Sequence, residues 1–333
     1  MTEPTRIPLL NVDDAIRRLR DTVHAKASNF YAMYSSVLGG IITDPALMVL
    51  PLDDHMVHRG HAVFDTATLT NGMLYQLDPH LDRLIKSAAG ARILLPFPRE
   101  HLRQIILETA AASRQREGSV RYWLSAGPGG YGLGPAECVG SSFYVIIFKQ
   151  EAYPVSYYQQ GIKLITSQVP IKPPLFARIK STNYLPNVLV VLEAKDHGAD
   201  NGVFIDQRGM VAESSNMNVA FVTKDRVFRH PPFDAILAGI TIQRVLQFAQ
   251  QLVQQGVLNA VRIADVPIEE GRTAAEMMLI GSSIKVAPVV EWDGQKIGDG
   301  KSGPVTQKLL EMWNEDARSA ADQRVAVPYG EGV

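Results

Sequence analysis

The spacing of apolar residues changes period several times along this chain, and each change predicts a different element. Ala15, Ile16, Leu19 and Val23 recur at helical intervals behind Asp13 and Asp14, which predicts an amphipathic helix over Val12 to Ala27, a candidate docking arm. From Phe30 to Thr70 the pattern turns to short apolar runs broken at Gly39-Gly40, Asp44-Pro45 and Asn71-Gly72, as in a strand meander with hairpins. Helical spacing returns from Pro79 to Ala91 and from Pro98 to Ser113. The strand patterns SVRYWLSA and SSFYVIIFKQ then flank GPGGYGLGPAECVG, a glycine-rich segment suited to a lid or a long hairpin connection. It has neither a GK[ST] ending nor a strand-to-helix context, so it is not read as a phosphate loop.

The polar, turn-rich EAYPVSYYQQG predicts a linker at 151–158. It divides a small N-terminal α/β unit with its helical arm, residues 1–150, from a larger strand-rich unit, residues 159–333. In the second unit short strands alternate with turns at Gln207-Arg208-Gly209 and Lys224-Asp225. Helices are expected from Leu185 to His197 and from Thr241 to Gln255, the latter stopped by Gly256. EMMLIGSSIKVAPVVEWDG reads as strand, turn, strand, and Gly303-Pro304 opens a last helix reaching Arg318. DQRVAVPYGEGV reads as a tail.

Composition narrows the function classes. With 333 residues and 46% hydrophobic content the chain has the profile of a folded two-domain enzyme. A net charge of -1 supplies no field for nucleic acid or an anionic membrane surface. Cys138, the single cysteine, excludes an internal disulfide framework and any cysteine metal cluster. The start, MTEPTRIPLLNVDDAIRRL, lacks the apolar core of a signal peptide and is acidic for a transit peptide, and no run of about twenty apolar residues follows. A cytoplasmic location is expected.

Chemistry gathers around Ile171 to Asn187, IKPPLFARIKSTNYLPN, where Pro173 and Pro174 stiffen the approach to Lys180. Lys180 reads as a solvated surface lysine or as an amine forming a Schiff base with a carbonyl or with pyridoxal phosphate. Gly239, Ile240 and Thr241 in AGITIQRVLQFA offer amides and a hydroxyl for an anion at a helix N-terminus, or a plain helix cap. Arg83 in HLDRLIKSA can add a guanidinium fork to the same phosphate or lie on the surface. Glu213 in GMVAESSNMNVAF can keep a pyridine nitrogen protonated or sit in a turn. Ser282 and Ser283 can serve a phosphate or a carboxylate, or only shape a turn.

Taken in order, Arg83, Lys180, Glu213, Gly239-Ile240-Thr241 and Ser282-Ser283 resemble the pattern of the fold-type IV, or class IV, pyridoxal-phosphate enzymes along almost the whole chain. MVHRGHAVFDTA, HLDR, RYWLSAGPG, VPIKPP, KSTNYLPNVL, NMNVAFV, EMMLIGS and RVAVPY are similar to the plant-type D-amino acid transaminases, which are also labelled branched-chain-aminotransferase-like. The resemblance implies an α/β (α+β) two-domain fold, a homodimer, a pyridoxal 5'-phosphate cofactor and Lys180 as the Schiff-base lysine. It implies that Arg83 and Gly239 to Thr241 bind phosphate, that Glu213 meets the pyridine nitrogen, and that Tyr184 lies near the ring oxygen. Ser282 and Ser283 match a threonine-alanine or threonine-threonine pair, keeping a hydroxyl.

The implied activity is a ping-pong transaminase moving an amino group between a D-amino acid and pyruvate or 2-oxoglutarate. Alternatives are an aminodeoxychorismate lyase, which releases pyruvate to give 4-aminobenzoate, and a transaminase of branched-chain L-amino acids or R-amines. The lid loop GPGGYGLGP lacks the Arg-x-His carboxylate trap of bacterial D-amino acid aminotransferases. Arg59 and Arg121 are instead the candidates for an α-carboxylate, with Ser283 beside them, or are strand-surface charges. Lys285 stands where branched-chain enzymes commonly have glutamate. His55, His58 and His61 lack a further ligand cluster, so no metal is expected.

Overall fold

The computed structural model describes residues 7–330, so parts of the expected start and of the expected tail lie outside it. Sixteen strands form two sheets among the described residues: β1 (Phe30–Ser35), β2 (Gly40–Ile42), β3 (Ala62–Thr70), β4 (Met73–Tyr75), β5 (Gly118–Ser125), β6 (Ser142–Phe148), β7 (Ile162–Thr166), β8 (Asn201–Ile205), β9 (Val211–Ser214), β10 (Asn218–Val222), β11 (Val227–His230), β12 (Ala260–Ile263), β13 (Glu276–Gly281), β14 (Lys285–Trp292), β15 (Gln295–Lys296) and β16 (Arg324–Ala326). The α/β class expected from the alternation of periods is the class observed.

The first sheet runs β16-β4-β3-β5-β6-β1-β2, with every pairing antiparallel. Its inward residues, among them Val63, Val120 and Phe143, pack with Leu77, Leu81, Leu84 and Leu102 from the helices Leu77–Gly90 and Arg99–Ala112. Each fully buried leucine there stabilises the fold by about 2 kcal/mol. The second sheet runs β12-β11-β10-β13-β14-β7-β8-β9, and β9 also pairs with β10. Six strands therefore close a circle, and the closing contact pairs Glu213 with Asn218. Parallel pairings β7 with β8 and β11 with β12 need crossovers. These are the helices Leu185–Asp196 and Ile240–Gln254.

Several sequence expectations are corrected in detail. The helix from Val12 ends at Asp21 and is followed by a short 3-10 turn, Ala25–Asn29; none of its residues is buried within this chain. A five-residue helix, His55–Arg59, interrupts the meander, capped by Asp54 and ended by Gly60 at φ 63°. The segment expected as a linker is folded. It carries the helix Ser156–Gln159, and Tyr153, Tyr157 and Tyr158 pack on the apolar cluster of the closed sheet. The expected tail, finally, is a strand: Arg324, Val325 and Ala326 pair with Tyr75, Leu74 and Met73 of the first sheet. Its apolar members explain the return, since Val327 is buried and Val325 and Tyr329 pack on that sheet's core.

Candidate active site

Lys180 is held by backbone pairing. Strand β4 covers only Thr68 to Thr70 of β3, which leaves the first half of that edge open. The segment 180–182 fills it: Phe64 N–H donates to the Lys180 carbonyl at 2.9 Å, Val63 bridges Ser181, and Thr182 N–H donates to the Ala62 carbonyl at 2.9 Å. Lys180 N–H reaches Ser87 Oγ at 3.3 Å. The chain is thus pinned on both sides of the lysine, while its amine enters a cavity of about 590 Å³ between the two sheets. There Nζ donates to the Tyr184 hydroxyl at 3.0 Å and lies 4.7 Å from the centre of the Phe64 ring.

One wall of the cavity comes from the Leu77–Gly90 helix, whose leucines face the sheet core. His80, Arg83 and Ser87 follow one another at intervals of three and four and form a single stripe. His80 and Ser87 are buried. Arg83 donates through Nε and Nη2 to the two oxygens of Asp65 at 2.8 and 2.7 Å, and through Nη1 to the Ala238 carbonyl at 3.3 Å. Asp65 is fully buried on the core face of β3. Burial alone would raise its pKa, but Arg83 and then His80 hold it well below the usual carboxylate range.

The opposite wall comes from the closed sheet. Glu213 is buried at the closing pair, and its Oε2 accepts the Leu237 amide at 3.2 Å. Burial pushes its pKa up to about 7, against the pull of that amide and of Lys172 and Lys180. Asn218 donates to the Leu237 carbonyl at 3.0 Å. Leu237 and Ala238 are therefore fixed by three side chains from three elements, which sets the entry to the Ile240–Gln254 helix. Gly239 stands at its N-cap with no side-chain cap, so the first-turn amides keep their donors. A Cβ on Gly239 would meet Asn218 Oδ1 at 2.0 Å, so any larger residue must displace the Asn218 side chain. Thr241 Oγ1 lies 3.3 Å from Ser282 Oγ, at the turn between β13 and β14.

These residues fit pyridoxal phosphate. An uncapped helix N-terminus with Arg83, Thr241 and Ser282 beside it matches a phosphoryl group. A lysine amine and a buried carboxyl with one oxygen left to the cavity line the same space. That space is of the size that holds a small cofactor.

Arg121 also lines the cavity. Its Nε donates to Thr66 Oγ1 at 3.0 Å, and its guanidinium lies 5.5 and 5.6 Å from the rings of Phe64 and Phe148. Burial pushes its pKa down, and no carboxylate bonds it among the described residues. Ser283 is in the lining as well.

Arg59 does not line the cavity in this single chain. Its guanidinium donates to the carbonyls of Gly132, His58 and Tyr131 at 3.2, 3.1 and 2.6 Å, so it anchors the glycine-rich segment. His55 Nδ1 sits 3.2 Å from His61 Nδ1, and the His58 ring packs 5.1 Å from that of Tyr131, under the same segment. Lys285 reaches Asn314 Oδ1 at 2.9 Å, outside the cavity.

Sequence reasoning missed Asp65, His80 and Lys172, all near or in this wall. The signal for Asp65 was there: in AVFDTATLT it alone is charged among the inward positions of an alternating strand. Lys172 lines the cavity with its Nζ 4.7 Å from the centre of the Tyr184 ring.

Comparison with known proteins gives the family. The family model of class IV amino-transferases matches residues 62–292. The chain is 50% identical over 327 residues to the chloroplastic D-amino-acid transaminase of Arabidopsis thaliana, covering 97% of this chain and 86% of that one. It is 29% identical to the D-alanine aminotransferase of Bacillus licheniformis, covering 82% of this chain and 93% of the relative. A branched-chain amino acid aminotransferase from T.th., solved with pyridoxamine 5'-phosphate, superposes with a TM-score of 0.82 at 25% identity, over 90% of this chain and 99% of that one. The chain is an enzyme of the class IV aminotransferase family.

Proposed function

We propose that the chain is a D-amino acid transaminase using pyridoxal 5'-phosphate, with pyruvate or 2-oxoglutarate as amino acceptor. What supports the choice of donor is the 50% identity, over nearly the whole chain, to a protein named as a D-amino-acid transaminase. The branched-chain reading rests on lower identities, 29% and 32% to branched-chain aminotransferases.

In this reading Lys180 Nζ is the covalent anchor of the cofactor and, once released, the base. Its backbone pairing to β3 keeps the amine in register while the side chain moves. Bound pyridoxal phosphate supplies an electron sink for the pair left behind when the α-proton leaves. Lys180 Nζ takes that proton and holds it for return, and the Tyr184 hydroxyl, 3.0 Å away, steadies the amine between the two steps. Glu213 presents its free oxygen to the ring nitrogen. A carboxyl with a pKa near 7 can share a proton there rather than surrender it fully. Arg83, the amides of Ile240 and Thr241, and the hydroxyls of Thr241 and Ser282 bind the phosphoryl group. Arg121, free of any acidic partner among the described residues, pairs with the substrate α-carboxylate, with Ser283 beside it.

The division near 151–158 belongs to the same proposal, with the cavity between the two units. So does a homodimer. Leu185 and Leu189 leave an apolar face exposed on the helix Leu185–Asp196, next to Val188, Val191 and Leu192 of the cavity wall, and a second copy would cover it. A monomer in light scattering of the purified protein would remove this part. The cytoplasmic location is likewise proposed; fractionation of cells expressing the tagged chain tests it against the chloroplast named for the Arabidopsis relative.

The activity is tested by mixing purified holoenzyme with D-alanine and 2-oxoglutarate and assaying pyruvate and glutamate. Formation of both supports the reading. Turnover of L-leucine or R-1-phenylethylamine alone would move the enzyme to another branch, and pyruvate from aminodeoxychorismate without an acceptor would make it a lyase.

A further inference from the structure

A buried line of polar groups crosses the floor of the anion cradle from the first sheet to the second. It starts at Asp65, which accepts from Arg83 twice, from the Thr66 amide at 2.8 Å and from His80 Nδ1 at 2.8 Å. It continues through the buried His80 ring, whose Nε2 faces Ser282 Oγ at 3.5 Å, and ends where Ser282 Oγ meets Thr241 Oγ1 at 3.3 Å. The carboxylate of Asp65 is taken up by these donors and His80 is buried behind Ser282. Their effect on an anion must be transmitted.

The protonation of this line follows from its first member. A carboxylate with four donors on it keeps no proton of its own, so His80 Nδ1 is the protonated nitrogen and a neutral ring leaves Nε2 bare. A bare Nε2 accepts. Ser282 then turns its hydrogen toward His80 and offers lone pairs to Thr241 and to the cavity. That polarity is wrong for a phosphoryl group, whose oxygens only accept. With a proton on Nε2 the line reverses: His80 donates to Ser282, and the hydroxyl hydrogens of Ser282 and Thr241 are freed toward the anion.

Charge points the same way. Arg83, the one guanidinium among the cradle residues named above, is already shared with Asp65, so a dianion meets a cation that is largely neutralised. A proton on His80 restores the missing charge. His80 meets Asp65 from β3 and Arg83 on its own helix, and feels the charge of Lys180 from the lysine segment. Burial first, and the two cations with it, push its pKa down, while Asp65 pulls it up; an arriving dianion shifts that balance toward the imidazolium.

We propose that Asp65 and His80 form a positioning dyad whose ring takes up a proton when a phosphoryl group enters the cradle, switching Ser282 from acceptor to donor. The inference rests on the cavity being the pyridoxal-phosphate site. Neither residue is catalytic.

The test reads the His80 ring itself. Enzyme carrying isotope-labelled histidine is examined by nitrogen NMR at neutral pH as apoenzyme, with inorganic phosphate and loaded with pyridoxal phosphate, the His80 signals being those lost in His80→Gln. One protonated ring nitrogen in the apoenzyme and two in the loaded enzyme is the expected result. A singly protonated ring in both, with the cofactor demonstrably bound, overturns the dyad and leaves the cofactor reading standing; failure to bind any cofactor overturns both. Should His80→Gln fold poorly, the signals are assigned instead in Ser282→Ala. In the folded His80→Gln enzyme, affinity for pyridoxal phosphate should fall about tenfold while affinity for pyridoxal, which lacks the phosphoryl group, holds. Equal losses for the two ligands would make His80 merely structural.

Discussion

Arg83 and Asp65 meet fork to fork, with Nε and Nη2 donating to the two carboxylate oxygens at 2.8 and 2.7 Å, and the acid is wholly buried. Such a pair draws little net stability from being formed, because both charges are stripped of water. Its value here is direction: a guanidinium gripped on one edge by β3 presents the other edge to Ala238 and the cavity. Removing one partner leaves the other charge uncompensated. Asp65→Ala is expected to lower the unfolding free energy by about 3 kcal/mol, measured by denaturant titration. A loss below about 1 kcal/mol would mean that Arg83 finds another partner.

Glu213 makes stability depend on pH in a set direction. Its carboxyl titrates near 7 in the folded chain against 4.5 for the free side chain. The folded state therefore binds the proton more tightly, and its contribution is full below pH 4.5 and lost as pH rises to about 7. The loss is on the order of 3 kcal/mol. In apoenzyme, the difference in stability between the native chain and Glu213→Gln should change across that window; a difference independent of pH would refute the burial argument.

Arg121→Met removes a cation without removing apolar contact with Phe64 and Phe148. The KM of the amino acid should rise at least about tenfold, the worth of one charge-assisted pair, with a smaller effect on kcat. An unchanged KM would take the α-carboxylate away from Arg121.

Gly239→Ala inserts a methyl group where Asn218 Oδ1 stands, 2.0 Å from the ideal Cβ. Asn218 must then release the Leu237 carbonyl, and the helix entry shifts. Cofactor affinity is expected to drop by about tenfold or more, read by titrating apoenzyme with pyridoxal phosphate. Native affinity in this variant would show that the helix N-terminus is not the anion site.

The sequence carried the local features well, because period and punctuation are local. Helix starts at Pro98, Leu185 and Pro304 fell within a residue or two of where they lie, and Gly256 stops its helix with φ 71°. Lys180, Glu213, Arg83 and the Gly239 turn were legible through an ordered set of motifs, and the structure brings them to one cavity. What escaped depends on partners far along the chain. The strand at Arg324 forms only because β4, far earlier in the chain, offers an edge. Asp65 and His80 look like polar positions on a strand and a helix until Arg83 and Ser282 are seen around them. The bonds of Arg59 escaped for the same reason: its carbonyl partners lie in the glycine-rich segment, and nothing near it in sequence announces them.

The role of Lys180 is tested most directly by fixing the cofactor to the protein. Holoenzyme is reduced with borohydride, digested, and the cofactor-bearing peptide sequenced by mass spectrometry. The cofactor should be found on Lys180, and Lys180→Ala, with its fold intact by circular dichroism, should lose at least about 10³-fold in turnover. A label on Lys172, the other lysine lining the cavity, or on no lysine at all would contradict the assignment on which the rest depends.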